Sequence, residues 1–320
     1  RVNDQPAVIA FAVLCWGMSI AASAQSVEII HRDGFEDLVL RPVAATYLGL
    51  NAPTIREIGF DAVGNAVLVG HFGAHAANDL DDATVIGTPG DASLFVAKMA
   101  PDGQFLWRTV IGGSGKDRGY GLSVAPNGDL VVAGRTSSTD FPTTPGAFDR
   151  IHHGGTDNPA HGSTDGYVLR LAADGQGLVW STLFGGSGQE GNRGGLALAP
   201  DGAVYACGSV ESNSPDFLLN PSSGGNPGFI NARPGGFSDG YVIKFLPDGS
   251  AIQWTRFLGS GTDTAGEELP VGCRVLADGR LHTVGNLWGA GAPTTDGSMF
   301  QGGNADLYMA VLSADGTTLH

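Results

Sequence analysis

Residues 94–134 read LFVAKMAPDGQFLWRTVIGGSGKDRGYGLSVAPNGDLVVAG and decide the fold. In this stretch, Pro101-Asp102-Gly103 and Pro126-Asn127-Gly128 each separate two short segments rich in alternating apolar residues. Asp-Gly or Asn-Gly between such segments predicts a β-hairpin, because the tight turn needs positive φ angles that these residues tolerate. The stretch therefore predicts four short antiparallel strands, which we label a to d.

The turn triplet is repeated along the chain, which makes the four-stranded unit an internal repeat. The other copies are Ala173-Asp174-Gly175, Pro200-Asp201-Gly202, Pro247-Asp248-Gly249, Ala277-Asp278-Gly279 and Ala314-Asp315-Gly316. The chain opens with a partial copy (strands b, c and d) and closes with a strand a. We predict an all-β protein, a β-propeller of four-stranded antiparallel blades with about four modules. A β-solenoid is the alternative.

Two phrases outside the turns carry a family resemblance. One is Gly-Gly-Ser-Gly after strand b, at 112–115 and 185–188, and the other is GRTSSTDFPTTPGAF at 134–148. From about Thr46 onward the chain resembles the bacterial extracellular β-propeller repeat family abbreviated SBBP. The resemblance implies an exported, often multidomain protein, and it implies no shared catalytic residues. The chain departs from the pattern at Ala44, where the repeat has Trp, and at 215–229, where the Pro-Thr-Thr phrase is missing.

The N-terminus predicts export. Residues 7–20 are nearly all apolar, and Ala22-Ser23-Ala24 supplies a small-x-small cleavage site. The alternative is a membrane anchor, but the apolar run falls short of the ~20 residues that span a bilayer. We assign 1–24 to a signal peptide, 25–43 to a linker and 44–320 to the repeats. The mature chain is expected to be secreted, periplasmic or at the cell surface, without membrane insertion.

The ends of the repeat region leave the size of the ring open. The final strand a could join the first b, c and d, which would close a four-bladed ring, or the chain could be a fragment of a larger ring. Cys207 and Cys273 remain after cleavage. We expect two buried thiols there, with a disulfide as the alternative in an oxidising compartment.

The charge balance narrows the choice of partners. The chain has 17 basic and 32 acidic residues, a net charge of −15. Such a surface repels phosphate backbones, so we expect no nucleic-acid partner.

Any functional surface is expected where the b–c and d–a loops emerge, because loops on a rigid scaffold commonly carry binding. The first candidates are Asp117, Glu190 and Asp263, which would recur once per blade and could bind a cation, although such acids commonly cap their own glycine turns. The second group is His152, His153 and His161, with Asp157 and Asp165, where a solvated polar loop is the alternative to a metal site. Asn78, Asp79, Asp81 and Asp82 could bind Ca²⁺ but lack the order of a calcium loop. We therefore expect no metal site and no cofactor.

These residues favour a non-enzymatic, exported repeat protein that binds an extracellular protein or glycan. The alternative is an extracellular polysaccharide hydrolase or lyase, which in the hydrolase case needs two carboxylates roughly 5–10 Å apart. A purely structural stalk is the third interpretation. Trp107, Trp180 and Trp254 recur at one position of strand b, which predicts packing between blades.

Overall fold

The computed structural model describes residues 53–73, 82–90, 92–154, 164–211, 214–261, 268–290, 292–297, 299, 301 and 305–320, without the side chains of 191–194 and 269. These residues form sixteen strands: β1 (Thr54–Phe60), β2 (Ala66–Phe72), β3 (Thr84–Gly87), β4 (Ser93–Met99), β5 (Phe105–Gly112), β6 (Asp117–Val124), β7 (Leu130–Thr136), β8 (Asp165–Leu171), β9 (Leu178–Phe184), β10 (Glu190–Leu198), β11 (Val204–Glu211), β12 (Ser238–Phe245), β13 (Ile252–Leu258), β14 (Leu269–Val275), β15 (Leu281–Leu287) and β16 (Asp306–Leu312). Within the described ranges no helix is long and apolar enough to cross a membrane.

The all-β prediction is confirmed, and the strands form four sheets. Sheet I has the order β1-β2-β4-β5-β3, sheet II β6-β7-β8-β9, sheet III β10-β11-β12-β13 and sheet IV β14-β15-β16. All pairings are antiparallel except that of β3 with β5. The predicted Asp-Gly turns lie between the strands, with positive φ at Gly103 (86°) and Gly175 (73°), the conformation that glycine adopts at low cost.

The grouping of strands into sheets differs from the predicted one. Each sheet begins with strands c and d of one repeat and continues with strand a of the next repeat. Sheets I to III also contain strand b of that next repeat. The glycine-rich b–c loops therefore run between sheets. Closure of the ring stays open: β16 pairs with β15, Leu312 also bridges to Leu319, and the first strand b, at 46–49, lies outside the described residues. The number of blades stays a prediction.

The sheets pack in chain order through their first strands. β1 lies against β6, β6 against β10 and β10 against β14. Shared apolar clusters join sheet I to sheet II, sheet II to sheet III and sheet III to sheet IV. At each interface the core is built from alternate residues of the strands, as the period of two requires.

The recurring tryptophans pack between sheets, as predicted. Trp107 of sheet I covers the turn at Gly175 in sheet II, where an added Cβ would meet its ring at 2.6 Å. Trp180 and Trp254 repeat the contact one sheet further on, and their Nε1 atoms donate to the carbonyls of Pro247 (2.9 Å) and Ala314 (3.1 Å). The tight glycine turn is what allows the ring to approach.

Cys207 and Cys273 are bonded in a disulfide, so the expectation of two free thiols is wrong. Cys207 lies on β11 and Cys273 on β14, which places the bond across the interface between sheets III and IV. The Cα atoms are 6.8 Å apart.

Long d–a loops return along the outer strand of their sheets. In sheet I this segment is β3, which sequence patterning did not predict and which runs parallel to β5. In sheet II the amide of Leu183 donates to the carbonyl of Asp149 (2.9 Å), and in sheet III the amide of Ile230 donates to the carbonyl of Thr255 (2.8 Å). Much of each long loop is therefore engaged with its own sheet.

Candidate functional site

The candidate site lies along the loops that connect one sheet to the next, which we call crossings. Crossing I–II is residues 113–116, crossing II–III is 185–189 and crossing III–IV is 259–268, of which 262–267 lie outside the described residues. At the end of each crossing stands an acid, Asp117, Glu190 and Glu268 in turn, and all three are at most 2% exposed.

Crossing I–II shows how the repeat accommodates one buried acid. Asp117 Oδ2 accepts the amide of Gly113 at 2.8 Å, and the hydroxyls of Ser138 and Thr136 donate to the same carboxylate. Burial raises the pKa of Asp117 to about 6, while these hydrogen bonds act in the opposite direction. Next to it, Asp140 Oδ1 accepts the amide and hydroxyl of Ser114 at 2.7 and 2.9 Å. Both acids cap the glycine loop.

Crossing III–IV contains two buried acids and a cation. The amide and hydroxyl of Ser260 donate to Glu268 at 2.8 and 2.5 Å. Asp239, at the start of the neighbouring strand, is fully buried and receives Nε of Arg233 at 2.6 Å. The guanidinium also donates to the carbonyls of Ser214 (3.1 Å) and Val210 (2.8 Å), so it is fixed in place.

Crossing II–III contains the equivalent pair of acids, Asp165 and Glu190, and no arginine is bonded to them among the side chains that the structure describes. Asp165 Oδ2 accepts the backbone amide of His153 at 2.8 Å. Asp165 Oδ1 and both carboxylate oxygens of Glu190 are buried without a partner in regular hydrogen-bond geometry. The Ser214 hydroxyl and the Gly186 amide lie close enough to Glu190 to lower its pKa, although neither reaches that geometry.

Electrostatics in crossing II–III oppose ionisation of both acids. Burial raises the pKa of Asp165 to about 8. Burial also raises the pKa of Glu190 well above its ordinary value, and the charge of Asp165 raises it further. Burial and the proximity of the two acids therefore both disfavour the ionised form of the pair.

The imidazole of His153 is directed to a different acid. His153 Nε2 lies 2.7 Å from Oδ2 of Asp149, and this hydrogen bond raises the pKa of His153. For Asp149, burial acts to raise the pKa, but hydrogen bonds from His153, Ile151 and Ser222 leave it lowered. The pair therefore favours the imidazolium–carboxylate form.

The structure brings together some of the predicted residues and separates others. Glu190, His153 and Asp165 meet at crossing II–III, whereas Asp117 lies at crossing I–II. His152 has its Nε2 3.3 Å from the carbonyl of Thr136, and its Nδ1 accepts the amide of Gly154 at 3.1 Å. His161, Asp157, Asp263, Asn78, Asp79 and Asp81 lie outside the described residues. In the described part of the chain, no group of three or more His, Cys, Asp or Glu has the geometry of a metal site.

Three residues at or beside the crossings were not identified as site residues by the sequence analysis. Glu268 ends a crossing that is longer than the others, and it occupies the place expected for Asp263. Asp149 ends the repeated phrase that reaches Phe148, and this position in the phrase was the available signal. Arg233 carried no signal, because its six-residue separation from Asp239 has no counterpart in the other repeats.

Comparisons with known proteins give only distant similarity. No family model matches the chain, and no curated protein matches it. Among solved structures, a protein of unknown function from Dyadobacter fermentans is similar at 11% identity and a TM-score of 0.46, over 85% of this chain and 70% of that one. A Synechocystis apocarotenoid oxygenase mutant is similar at 11% identity and a TM-score of 0.37, over 89% of this chain and 53% of that one. A luciferin-regenerating enzyme is similar at 12% identity and a TM-score of 0.34, over 85% and 76%.

Proposed function

We propose that the chain is an exported, non-enzymatic β-propeller repeat protein of the SBBP type that binds an extracellular protein or glycan through the face carrying the crossings. The observation that carries this proposal is the orientation of side chains on that face. The crossing acids turn inward, while apolar side chains beside them are exposed.

The inward orientation of the acids argues for a scaffold. Asp117 and Glu268 accept hydrogen bonds from the backbone of their own crossings, and such contacts fix the loops instead of offering a carboxylate to a substrate. Asp165 and Glu190 are 0% and 2% exposed, which leaves no room for a sugar between them. This burial disfavours the hydrolase alternative.

The exposed contact patch consists of Ile151 and Leu219, each just over half exposed. They lie on neighbouring loops, since the amide of Arg150 donates to Ser222 Oγ at 2.8 Å and the amide of Ser222 donates to Asp149 Oδ1 at 3.0 Å. The amide of Leu218 donates to the carbonyl of Gly185 in crossing II–III at 2.9 Å. Aliphatic side chains on rigid backbone favour a protein partner over a glycan, which is better served by aromatic rings.

Export is supported by the cysteines as well as by the N-terminal sequence. A disulfide within a chain is typical of proteins that fold in an oxidising compartment, and the Cys207–Cys273 bond joins two sheets. We therefore propose a secreted, periplasmic or surface location.

The test compares binding by three forms of the chain to a panel of extracellular proteins and glycans. We expect the double variant I151S/L219S to lose at least tenfold in affinity for the bound partner. The control is Val63→Ser, because Val63 is 78% exposed in a c–d turn at the opposite end of the strands. Equal binding by all three forms would overturn the assignment of the patch.

The enzymatic alternative has its own test. Purified chain is incubated with a panel of bacterial and plant polysaccharides, and reducing ends and unsaturated products are measured. We expect no turnover. Turnover that D165N or E190Q abolishes would replace the binding proposal with the hydrolase or lyase interpretation.

A further inference from the structure

Crossings II–III and III–IV each contain buried carboxylates whose negative charge must be compensated, and the two crossings differ in the group beside those carboxylates. Each brings two buried carboxylates together, one at the start of a first strand and one at the start of a third strand. Crossing III–IV supplies the Arg233 guanidinium at 2.6 Å from Asp239. At crossing II–III the basic side chain that the structure describes beside the acids is that of His153, which gives only its backbone amide to Asp165, because its imidazole bonds Asp149.

The second observation is a set of buried oxygens at crossing II–III that lack a partner in regular hydrogen-bond geometry: an added Cβ at Gly185 would meet Asp165, and one at Gly186 would meet the Ser214 hydroxyl. Asp165 Oδ1, both oxygens of Glu190, the Ser214 hydroxyl and the Tyr241 hydroxyl are all buried without a hydrogen-bond partner. Asp165, Ser214 and Tyr241 are 0% exposed and Glu190 is 2% exposed. Buried polar atoms are seldom left unpaired in folded proteins, so several at one place indicate a missing partner.

These groups are neighbours. The Ser214 hydroxyl lies beside Glu190, and the charge of Glu190 raises the pKa of Tyr241, after the larger effect of burial. Asp149, Asp216 and His153 also face the pair, and of these only His153 carries a positive charge. Every unpartnered atom of the set is an oxygen, the donor type preferred by hard cations.

We propose that crossing II–III binds a calcium ion between the carboxylates of Asp165 and Glu190, with the hydroxyls of Ser214 and Tyr241 beside it. The ion compensates the negative charge of the acids at this crossing, as the Arg233 guanidinium does for Asp239 at crossing III–IV. A divalent ion neutralises the charge of both carboxylates, whereas a single proton shared between them neutralises only one. The site is separate from the Asn78–Asp82 segment that composition alone suggested.

The first experiment measures thermal unfolding of the full chain at pH 7.5 after treatment with a chelator, with CaCl₂ added at constant ionic strength. We expect the wild-type Tm to rise by about 5 °C at a hundredfold excess of free Ca²⁺ over Kd. Glu190→Gln keeps the size of the side chain and should abolish the shift. Asp117→Asn is the matched control at crossing I–II, where one acid is already capped, and it should keep the shift.

A second measurement needs no variant and covers the case in which Glu190→Gln fails to fold. Isothermal titration of wild-type chain with CaCl₂ in two buffers of different ionisation enthalpy gives both stoichiometry and proton release. We expect one site per chain, with protons released as the two acids lose them to the ion. Absence of binding at millimolar Ca²⁺, or binding unchanged in Glu190→Gln, would show that the pair is simply protonated and would overturn the proposal.

Discussion

Crossings II–III and III–IV occupy equivalent places in consecutive repeats and contain the same pair of buried acids, yet among the described side chains only the second has an arginine bonded to its acids. Arg233 contacts Asp239 and two backbone carbonyls, so the charge is neutralised within the chain. No arginine or lysine in the described part of the chain is bonded to Asp165 or Glu190, and burial raises the pKa of both. The difference shows that a repeat fixes where acids are placed, while loops of unequal sequence decide how their charge is compensated.

The largest effect is expected from the disulfide that links sheets III and IV. The disulfide Cys207–Cys273 spans 66 residues, and for a loop of this size the chain-entropy model gives about 4 kcal/mol of stabilisation. We expect C207S/C273S to lower the free energy of unfolding by about 4 kcal/mol in urea titrations. Addition of a reductant should destabilise the wild type and leave the double variant unchanged; an equal response of both would contradict the bond.

Arg233→Met removes the internal cation while keeping most of the side-chain volume. We expect a loss of about 3 kcal/mol, because Asp239 is then left buried without its charge partner. Chemical denaturation at pH 7 measures the change. Arg150→Met is the control: its Nε contacts only the hydroxyl of Thr143, at the surface, so a change within about 0.5 kcal/mol is expected. Comparable losses in both variants would show that Arg233 contributes no more to stability than a surface arginine does.

Crossing I–II has a single buried acid, Asp117, whose burial should make the stability of the fold depend on pH. The folded-state pKa of Asp117 is about 6 against 3.8 when unfolded, so the folded state holds the proton more tightly. Stability is therefore expected to fall as pH rises from about 4 to about 6, by about 3 kcal/mol for this group. The difference in unfolding free energy between wild type and D117N, measured across that range, isolates the effect.

Asp140 in the same crossing provides a control of opposite sign. The amide of Ser114 donates to its carboxylate and lowers the pKa of Asp140, with smaller contributions from Thr88 and the Ser114 hydroxyl. Its contribution to stability is present above the unfolded pKa and is lost as pH falls. D140N should therefore differ from wild type most at neutral pH and least in acid; a slope in the same direction as that of D117N would be inconsistent with this arrangement.

The smallest effect is expected when a serine hydroxyl that bonds a carboxylate is removed, and its size should be larger at a buried site than at an exposed one. Ser260 donates its hydroxyl to buried Glu268, and exposed Ser187 donates its hydroxyl to half-buried Asp216. Ser260→Ala should cost about 1.5 kcal/mol and Ser187→Ala about 0.5 kcal/mol, since a carboxylate left short of donors in the interior is not rescued by water. Equilibrium unfolding of both variants under one set of conditions gives the comparison.

The strands were predictable because each hairpin carries its own local signal. Gly103 and Gly175 have positive φ, and the alternating residues on either side identify which faces are buried. The grouping of strands into sheets was not predictable, because the same Asp-Gly turn stands between a and b as between c and d. β3 was missed because a short strand that follows a neighbour in parallel needs no turn signal of its own.

The candidate site was predictable only where one repeat position is shared. Asp117 and Glu190 were identified by equivalent position, and both stand at the start of a first strand. Arg233 and Asp149 act across the fold, from loops whose lengths differ between repeats, and no local pattern in the sequence encodes which acid each will meet. The disulfide was left open for the same reason, since the distance between β11 and β14 depends on how two sheets pack.

The parallel segments along β5, β9 and β13 have a consequence for behaviour at high concentration. An outer strand with unpaired amides and carbonyls is a template on which a second molecule can add its own strand and begin a fibril. In sheets I to III that template is already occupied by a segment of the same chain, at Val85–Val110, Asp149–Leu183 and Ile230–Thr255. In these three sheets the outer strand is therefore closed to edge-to-edge addition of a second molecule.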